Sequence, residues 1–408
     1  MPTIILKNQQ IINHQSKMIP VSEALNLIIT HCKTSRVEEK SLPDALGYAL
    51  AETLFAKMDT PPFDNSAMDG YAFSYALWDK KNPLKVVGEV QAGDEYRLKI
   101  GVNEAIRIFT GAPLPPDVDT VIMQEKVERN DDKIILLDEN LKQGNNIRPK
   151  GSQTKKDDLA LEKGQSITPA GISYLAGMGY SKVKVYAKPK VSIIITGKEL
   201  VKAGDTLESG KIYESNGIGL TAALRQLNIE PVSVALVDDV SEAIEKVIKN
   251  QLSSDIVILT GGVSVGNYDL VPAALEKCGV EKIFHKVKQK PGKPFYFGTT
   301  ANALIFALPG NPAAVMTCFY EYVVAAIDYF TQKTHLKSLQ LPLNNDFTKN
   351  QGLTYFLKGK TTEKGVEILD SQLSYMLNSF AIADCLITLE EDKTNYKKGD
   401  VVPVLMIA

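Results

Sequence analysis

The 408-residue chain has little of what metal clusters, disulfide frameworks and hydrolytic triads are built from. Its four cysteines, Cys32, Cys278, Cys318 and Cys385, are isolated from one another, with no CxxC and no histidine pair nearby. That spacing offers neither a zinc site nor a disulfide set, and predicts four buried thiols acting as small hydrophobes in a reducing compartment. The histidines, His14, His31, His285 and His335, are scattered and accompany no Ser or Cys motif, so a hydrolase triad has no support. An excess of one charge is also missing: 46 Lys+Arg face 48 Asp+Glu, a net charge of -2, without the basic surplus of nucleic-acid binders. No apolar run reaches the roughly 18 residues of a membrane span. The stretch from Phe319 to Phe330 comes closest, and Glu321 and Asp328 interrupt it. The opening MPTIILKNQQ lacks the basic segment and apolar run of a signal peptide. The expectation is a cytoplasmic protein that engages neither membrane nor nucleic acid. What is present, 44% hydrophobic and 23% charged residues, is the composition of a multidomain globular chain.

Texture divides the chain into sections. Residues up to about Ala56 read as helical, with apolar positions of Val21–Ile29 on one face. From Lys57 to about Pro149, short strands (LKVVGEV, EAIRIFTG, DTVIMQE, DKIILL) are broken by Gly, Pro, Asp and Asn, which predicts a compact β module. After the basic passage RPKGSQTKKDD, the pattern predicts a helix over Pro169–Met178, ending near Gly179. From VSIIIT onward, strands alternate with helices (GLTAALRQL, VSEAIEKVIKNQL, LVPAALEKC and the long PAAVMTCFYEYVVAAIDYF). This is the pattern of a doubly wound, mainly parallel α/β sheet, whose sites lie at the carboxyl ends of the strands. From about His335, short strands predict a small β-barrel or sandwich.

Three loops of the α/β section share one design: Thr196-Gly197-Lys198-Glu199-Leu200, Thr260 to Asp269 (TGGVSVGNYD) and Leu308-Pro309-Gly310-Asn311-Pro312. Each follows an apolar strand, and their glycines let bare N–H groups approach an anion. The following helix adds its positive end, and Pro312 suits a first helical position. Together they predict a pocket for a phosphate-bearing ligand. Lys290 and Lys293, in the rigid KPGKP bend, would neutralise a diphosphate. The acids Glu199, Glu214, Asp238, Asp239 and Asp269 fall at or just past strand ends. Beside a diphosphate, such carboxylates make sense when a hard cation such as Mg²⁺ bridges them; Asp239 reads as a helix cap instead. In the β module, Asx turns would occupy Asp64 and Asn65, Asp69 is left without such a duty, and Thr110 offers a free hydroxyl at a strand end.

The strings PPFDNSAMDGYA, IFTGAPLPPDVDTVIMQE, TGGVSVGNYD, KPGKPFYFG and LPGNPAA, in that order between about Val21 and Glu391, resemble the molybdopterin molybdenumtransferase family, which is related to the C-terminal part of gephyrin. The resemblance implies a multidomain α/β plus β chain divided as 1–56 with 149–188 (an extended helical and strand N-terminal linker or dimerisation domain), 57–148 (β-rich module), 189–334 (α/β molybdopterin-binding domain, similar to molybdopterin adenylyltransferase) and 335–408 (C-terminal small β-barrel). It implies insertion of molybdenum from molybdate into adenylylated molybdopterin, with release of AMP and assistance from Mg²⁺. It also implies a homodimer whose active site combines the α/β domain with the other subunit's β module. Carried over by motif, Asp69, Thr110, Glu199, Asp238 and Asp269 are catalytic, and Glu199, Asp238 and Asp269 hold Mg²⁺. Gly261, Gly262, Ser264, Gly266, Lys290, Lys293, Pro309, Asn311, Pro312 and Ser379 bind substrate. Molybdopterin adenylyltransferase and molybdoenzyme apoproteins are the further expected partners. The chain departs from the family pattern at Ser152 and Gln153, where an acidic pair is usual, at Lys198, where an Asp is usual, and at Leu373, where a Gly is usual. Those departures raise two alternatives: a diverged, weakly active or inactive paralogue that carries the pterin nucleotide, and a gephyrin-like dimeric scaffold.

Overall fold

The computed structural model describes residues 18–33, 35–94, 99–263 and 270–407. The chain packs as two units, one formed by Glu39–Val185 and the other by the stretches up to Glu38 and from Tyr186 onward.

The Glu39–Val185 unit holds a six-stranded sheet in the order Thr120–Met123, Gly70–Phe73, Glu104–Ile108, Leu84–Val90, Lys133–Leu136, Val127–Asn130. Alternation along its strands fills two cores. Ala72, Ile106 and Val121 enter one, whereas Tyr71, Phe73, Ala105 and Ile122 enter the other, because successive side chains leave a strand on opposite faces. A third core gathers Leu42, Leu50 and Leu54 with Ile167, Leu175 and Val183. The helix Pro169–Gly177 forms as expected: the Thr168 hydroxyl accepts the Gly171 N–H at 3.0 Å, and Gly179, at φ +80°, ends it. The helical reading up to Ala56 is corrected. Among the described residues of that stretch, only Val21–His31 is α-helical; Val37–Ser41 and Leu54–Phe55 are strands, and Pro43–Ala45 is a single 3₁₀ turn. The run VEEKS carries no apolar stripe, and Pro43 and Gly47 break any helix that would cross them.

The other unit is built on six strands: β1 Val191–Thr196, β2 Ser233–Val237, β3 Ile256–Thr260, β4 Glu281–His285, β5 Tyr296–Thr299 and β6 Leu304–Leu308. Their order is β2-β1-β3-β6-β5-β4. The first four run parallel; β5 is antiparallel to both its neighbours, β6 and β4, two antiparallel pairings that the alternating pattern did not announce. Ile193, Ile195, Ile258 and Phe306 face a core shared with helices α1 Val21–His31, α2 Asn216–Gln226 and α5 Pro312–Thr331. Ile194, Val257, Leu259 and Ile305 face a core shared with α3 Ser241–Gln251 and α4 Leu270–Lys277. The sheet is therefore doubly wound. Helix α5 is long and apolar enough to cross a membrane, but 72% of that window is buried within the fold, and it includes a π-helical turn at Phe319–Val323.

The C-terminal strands Ser338–Pro342, Thr354–Thr362, Gly365–Ile368, Cys385–Leu389 and Val401–Met406 curl into a small barrel. A bridge between Leu343 and Val366 closes it, with the Asn344 N–H donating to the Val366 carbonyl at 2.9 Å. Closure needs glycine at 365: φ is +138°, and a Cβ there would lie 2.0 Å from the Pro342 carbonyl oxygen. Gly365→Ala should destabilise the barrel by roughly 1–3 kcal/mol, seen as an earlier thermal transition by circular dichroism; an unchanged melt would contradict this account of closure.

Candidate functional site

The three loops singled out by sequence leave the carboxyl ends of β1, β3 and β6, which are adjacent in the sheet. The ends of β1 and β3 meet closely. The Thr196 hydroxyl donates to the Thr260 carbonyl at 3.4 Å, and Gly261 turns at φ +89° where a Cβ would lie 2.3 Å from the Thr196 carbonyl oxygen. A cavity of about 570 Å³ opens over these ends, lined by Glu199, Glu214, Asn216, Gly261, Gly262, Pro309, Asn311 and Pro312 among others. Helices α2 and α5 begin on its wall, so two positive helix ends reach it. Pro312 occupies the first turn, as expected. Asn216 Nδ2 donates to the Gly310 carbonyl at 2.9 Å, while Asn216 Oδ1 and the Thr260 hydroxyl are buried without a protein partner. Such orphaned groups are what bound water or ligand satisfies. Asn216 carries no charge or glycine to flag it, and the sequence reading passed over it.

The acids divide by duty. Glu199 is exposed and lines the cavity. Glu214 also lines it, but one of its oxygens accepts the Gly217 N–H at 2.6 Å at the start of α2. Asp238 is exposed immediately after β2. Asp239 does not cap α3, which has Val240 at its N-cap; it accepts the Lys198 N–H at 3.3 Å. Lys198 is exposed and is absent from the cavity lining. Ser264, Gly266 and Asp269 lie outside the described residues. Among the described residues, no three His, Cys, Asp or Glu side chains gather to hold a metal ion.

Lys290 and Lys293 are exposed on the KPGKP bend, whose Pro294 lines the cavity. Lys290 places its ammonium 5.1 Å from the Tyr355 ring centroid, a cation–π contact. The bend is held from beneath by Gln289, which is 1% exposed. Its Nε2 donates to the Pro291 and Gly292 carbonyls, each at 3.1 Å, and its Oε1 accepts the Tyr322 hydroxyl of α5. Ser379 does not line the cavity; buried, it donates to the Ser371 carbonyl at 2.9 Å. It helps shape the loop whose Tyr375 lines the cavity and whose Ser374 hydroxyl accepts from Asn311 Nδ2 at 2.9 Å. Lys358, missed by sequence, organises the same loop: its buried ammonium donates to the Ser371 and Met376 carbonyls at 2.7 and 3.1 Å. Burial lowers its pKa to about 8. A lone lysine within the apolar run YFLKG was the available signal.

In the Glu39–Val185 unit, Asp69 and Thr110 form a pair. One Asp69 oxygen accepts the Thr110 N–H at 2.8 Å and its hydroxyl at 2.7 Å, so this hydroxyl is engaged rather than free. Those two bonds, then the Arg107 charge, hold the exposed Asp69 carboxyl below its ordinary pKa. Arg107, also missed, lies over Tyr71 and Phe109 and donates to the Gly70 carbonyl at 3.1 Å and to Gln124. The Asx-turn reading fails at both neighbours. Asp64 accepts the Lys150 N–H at 2.6 Å, and Asn65 is buried in the strand Asn65–Ser66 that pairs with Ile147–Arg148. Ser152 and Gln153 are exposed.

Comparison with known proteins covers nearly the whole chain. Residues 19–179 match the family described as MoeA N-terminal region (domain I and II), residues 192–329 a probable molybdopterin binding domain, and residues 340–407 the MoeA C-terminal region (domain IV). The chain is 36% identical to a molybdopterin molybdenumtransferase of Haemophilus influenzae, covering 91% of this chain and 94% of that protein. It is 33% identical to one of Staphylococcus aureus, covering 95% of each. A crystal structure of a molybdopterin biosynthesis MoeA protein from Pyrococcus horikoshii superposes with a TM-score of 0.82 at 29% identity, over 96% of this chain and all of that one (100%).

Two outcomes test this geometry. Thr110→Ala keeps the backbone donor and removes the hydroxyl, so the Asp69 pKa should rise part of the way toward its ordinary value, read by NMR titration. Because that pKa is depressed in the fold, the ionised pair persists from neutral pH downward and is lost only as pH falls through the folded value. Gly261→Ala should weaken pyrophosphate binding by about tenfold or more in calorimetry, since the strained turn costs roughly 1–3 kcal/mol and shifts the cavity floor.

Proposed function

Because the chain belongs to the molybdopterin molybdenumtransferase family, we propose that it inserts molybdenum from molybdate into adenylylated molybdopterin, releasing AMP and giving molybdenum cofactor. The observation that carries this reading is the cavity at the ends of β1, β3 and β6, where glycine turns and two helix starts present a positive floor beside the KPGKP bend. The backbone N–H groups and helix ends hold the diphosphate, and Lys290 and Lys293 offset its charge and that of the arriving molybdate. Glu199 and Asp238, exposed oxygen donors of the kind a hard cation takes, would hold Mg²⁺ together with Asp269. That ion would supply further neutralisation of the phosphates. The same carboxylates orient the attacking oxygen, and Asp69 with Thr110 serves the same reaction.

The protein's thiols take no part. Burial pushes the Cys32 and Cys318 pKa values up to about 12 and raises those of Cys278 and Cys385, so thiolate is scarce at neutral pH. The sulfurs that receive molybdenum belong to the substrate. Exposure of Lys198 away from the cavity lining supports the active reading over that of a silent nucleotide carrier. We further propose that the protein works in the cytoplasm as a homodimer, supplied by an adenylyltransferase and serving molybdoenzyme apoproteins, without nucleic acid or membrane.

Purified protein given adenylylated molybdopterin, Mg²⁺ and molybdate should release AMP, and no release would reject the activity. Lys290→Ala, Lys293→Ala and Asp69→Asn should each lower kcat/KM by about tenfold or more. Light scattering at micromolar concentration should give twice the chain mass.

A further inference from the structure

The lysine bend begins as part of the C-terminal barrel. Gln289–Lys290 is the edge strand of the barrel sheet and runs parallel to Thr354–Thr362, with Gln289 paired to Thr354 and Lys290 to Tyr355. The Thr354 N–H extends this ladder by donating to the Lys288 carbonyl at 2.9 Å. Tyr355 is 6% exposed and belongs to the barrel core that also holds Leu357, Leu389 and Tyr396. Its ring is therefore a fixed surface, and the Lys290 ammonium stands over it, 5.1 Å from the centroid.

Two lysines of this segment have different kinds of partner. Lys288 pairs with Glu391 at 2.7 Å, both side chains half-buried, so its charge is cancelled within the protein. Lys290 is exposed, and among the described residues no carboxylate lies within ion-pair distance of it. What holds it is the ring. The negative face of an aromatic ring attracts a cation through its quadrupole, yet carries no net charge to cancel it. A carboxylate in that place would fix the side chain equally well, but would compete with a phosphate for the ammonium. Holding a long side chain beforehand also removes part of the ordering cost of binding an anion.

Resting on the proposed transferase reading, we propose that Tyr355 is a positioning residue: its ring holds the Lys290 ammonium in place with the charge intact, ready for the anionic substrate. Tyr355 itself touches no substrate; it acts through the lysine. The barrel core thereby sets the place of a charge on the bend whose Pro294 lines the cavity.

NMR of protein carrying lysine labelled with carbon-13 at Cε, together with calorimetry of inorganic pyrophosphate, tests the assignment. In the wild type the Lys290 ε-protons, identified by their disappearance in Lys290→Ala, should resonate upfield of those of the exposed Lys293, because they lie over a ring face. Tyr355→Phe keeps the ring and should retain both that shift and the wild-type pyrophosphate affinity. Tyr355→Leu should lose the shift and weaken pyrophosphate binding by about two- to fivefold. Lys349 also places its ammonium near this ring, 5.3 Å from the centroid, so removing the ring disturbs a second contact. The Lys290→Ala background separates the two: there Tyr355→Leu should bring no further loss, whereas a merely structural role gives the same loss in both backgrounds. If the Leu variant melts early, pentafluorophenylalanine at position 355, which keeps the ring's shape and reverses the charge on its face, takes its place. An unshifted Lys290 signal in the wild type, or equal losses in both backgrounds, overturns the inference. If Lys290→Ala weakens binding and loss of the ring does not, the positioning role alone is wrong. If Lys290→Ala leaves binding unchanged while the shift still follows the ring, the lysine's part in the transferase reading is wrong, and the purpose given to the ring falls with it.

Discussion

The approach of β1 to β3 at their carboxyl ends is the constraint on which the site depends. With Gly261 against the Thr196 carbonyl, the turn leaves no room for a Cβ, and the backbone itself forms the floor there. The strand order makes this approach possible. The chain goes outward from β1 to β2, then returns to place β3 on the other side of β1. The crevice where direction reverses is where sheets of this kind bind ligands. The parallel ladder fixes the separation of β1 and β3, and their branched residues anchor both faces in the two cores, so the turn that forms the floor springs from a rigid base.

The rim has a different origin. The barrel delivers Tyr375 to the cavity, and Ser374 to its wall residue Asn311, through a loop wrapped around the Lys358 ammonium. Gln289 ties the KPGKP bend to α5: its side-chain amide donates to the Pro291 and Gly292 carbonyls, and its oxygen accepts the Tyr322 hydroxyl. In both cases a buried polar side chain with its partners satisfied sets a loop that has little core of its own. Neither side chain needs to touch a ligand to matter.

Much of this was legible in the sequence wherever physics acts locally. Short apolar runs broken by Gly, Pro, Asp and Asn marked the strands of the β module, because turn residues must interrupt strands whose two faces both pack into cores. Glycines after apolar strands gave the floor, since close backbone approach leaves few other residues possible. Long-range pairing was not legible. Nothing near Asp239 announces that it serves Lys198 in place of its own helix, and Thr110 looks free until the fold brings Asp69 to it. Asn216, Lys358 and Arg107 were passed over for the same reason: each has a role defined by partners far away in the chain. The helical reading before Ala56 failed because apolar spacing in one helix was extended over residues that have no such stripe.

Helix α5 touches both rims of the cavity, at Tyr322 beneath the lysine bend and at Ala314, whose N–H donates to the Ser374 carbonyl at 3.2 Å. The two margins are thus bolted to one beam. Parting them would mean tearing bonds at both ends of a rod sunk in the hydrophobic interior, so the aperture between them keeps a fixed gauge, and a guest must match it instead of prising it wider.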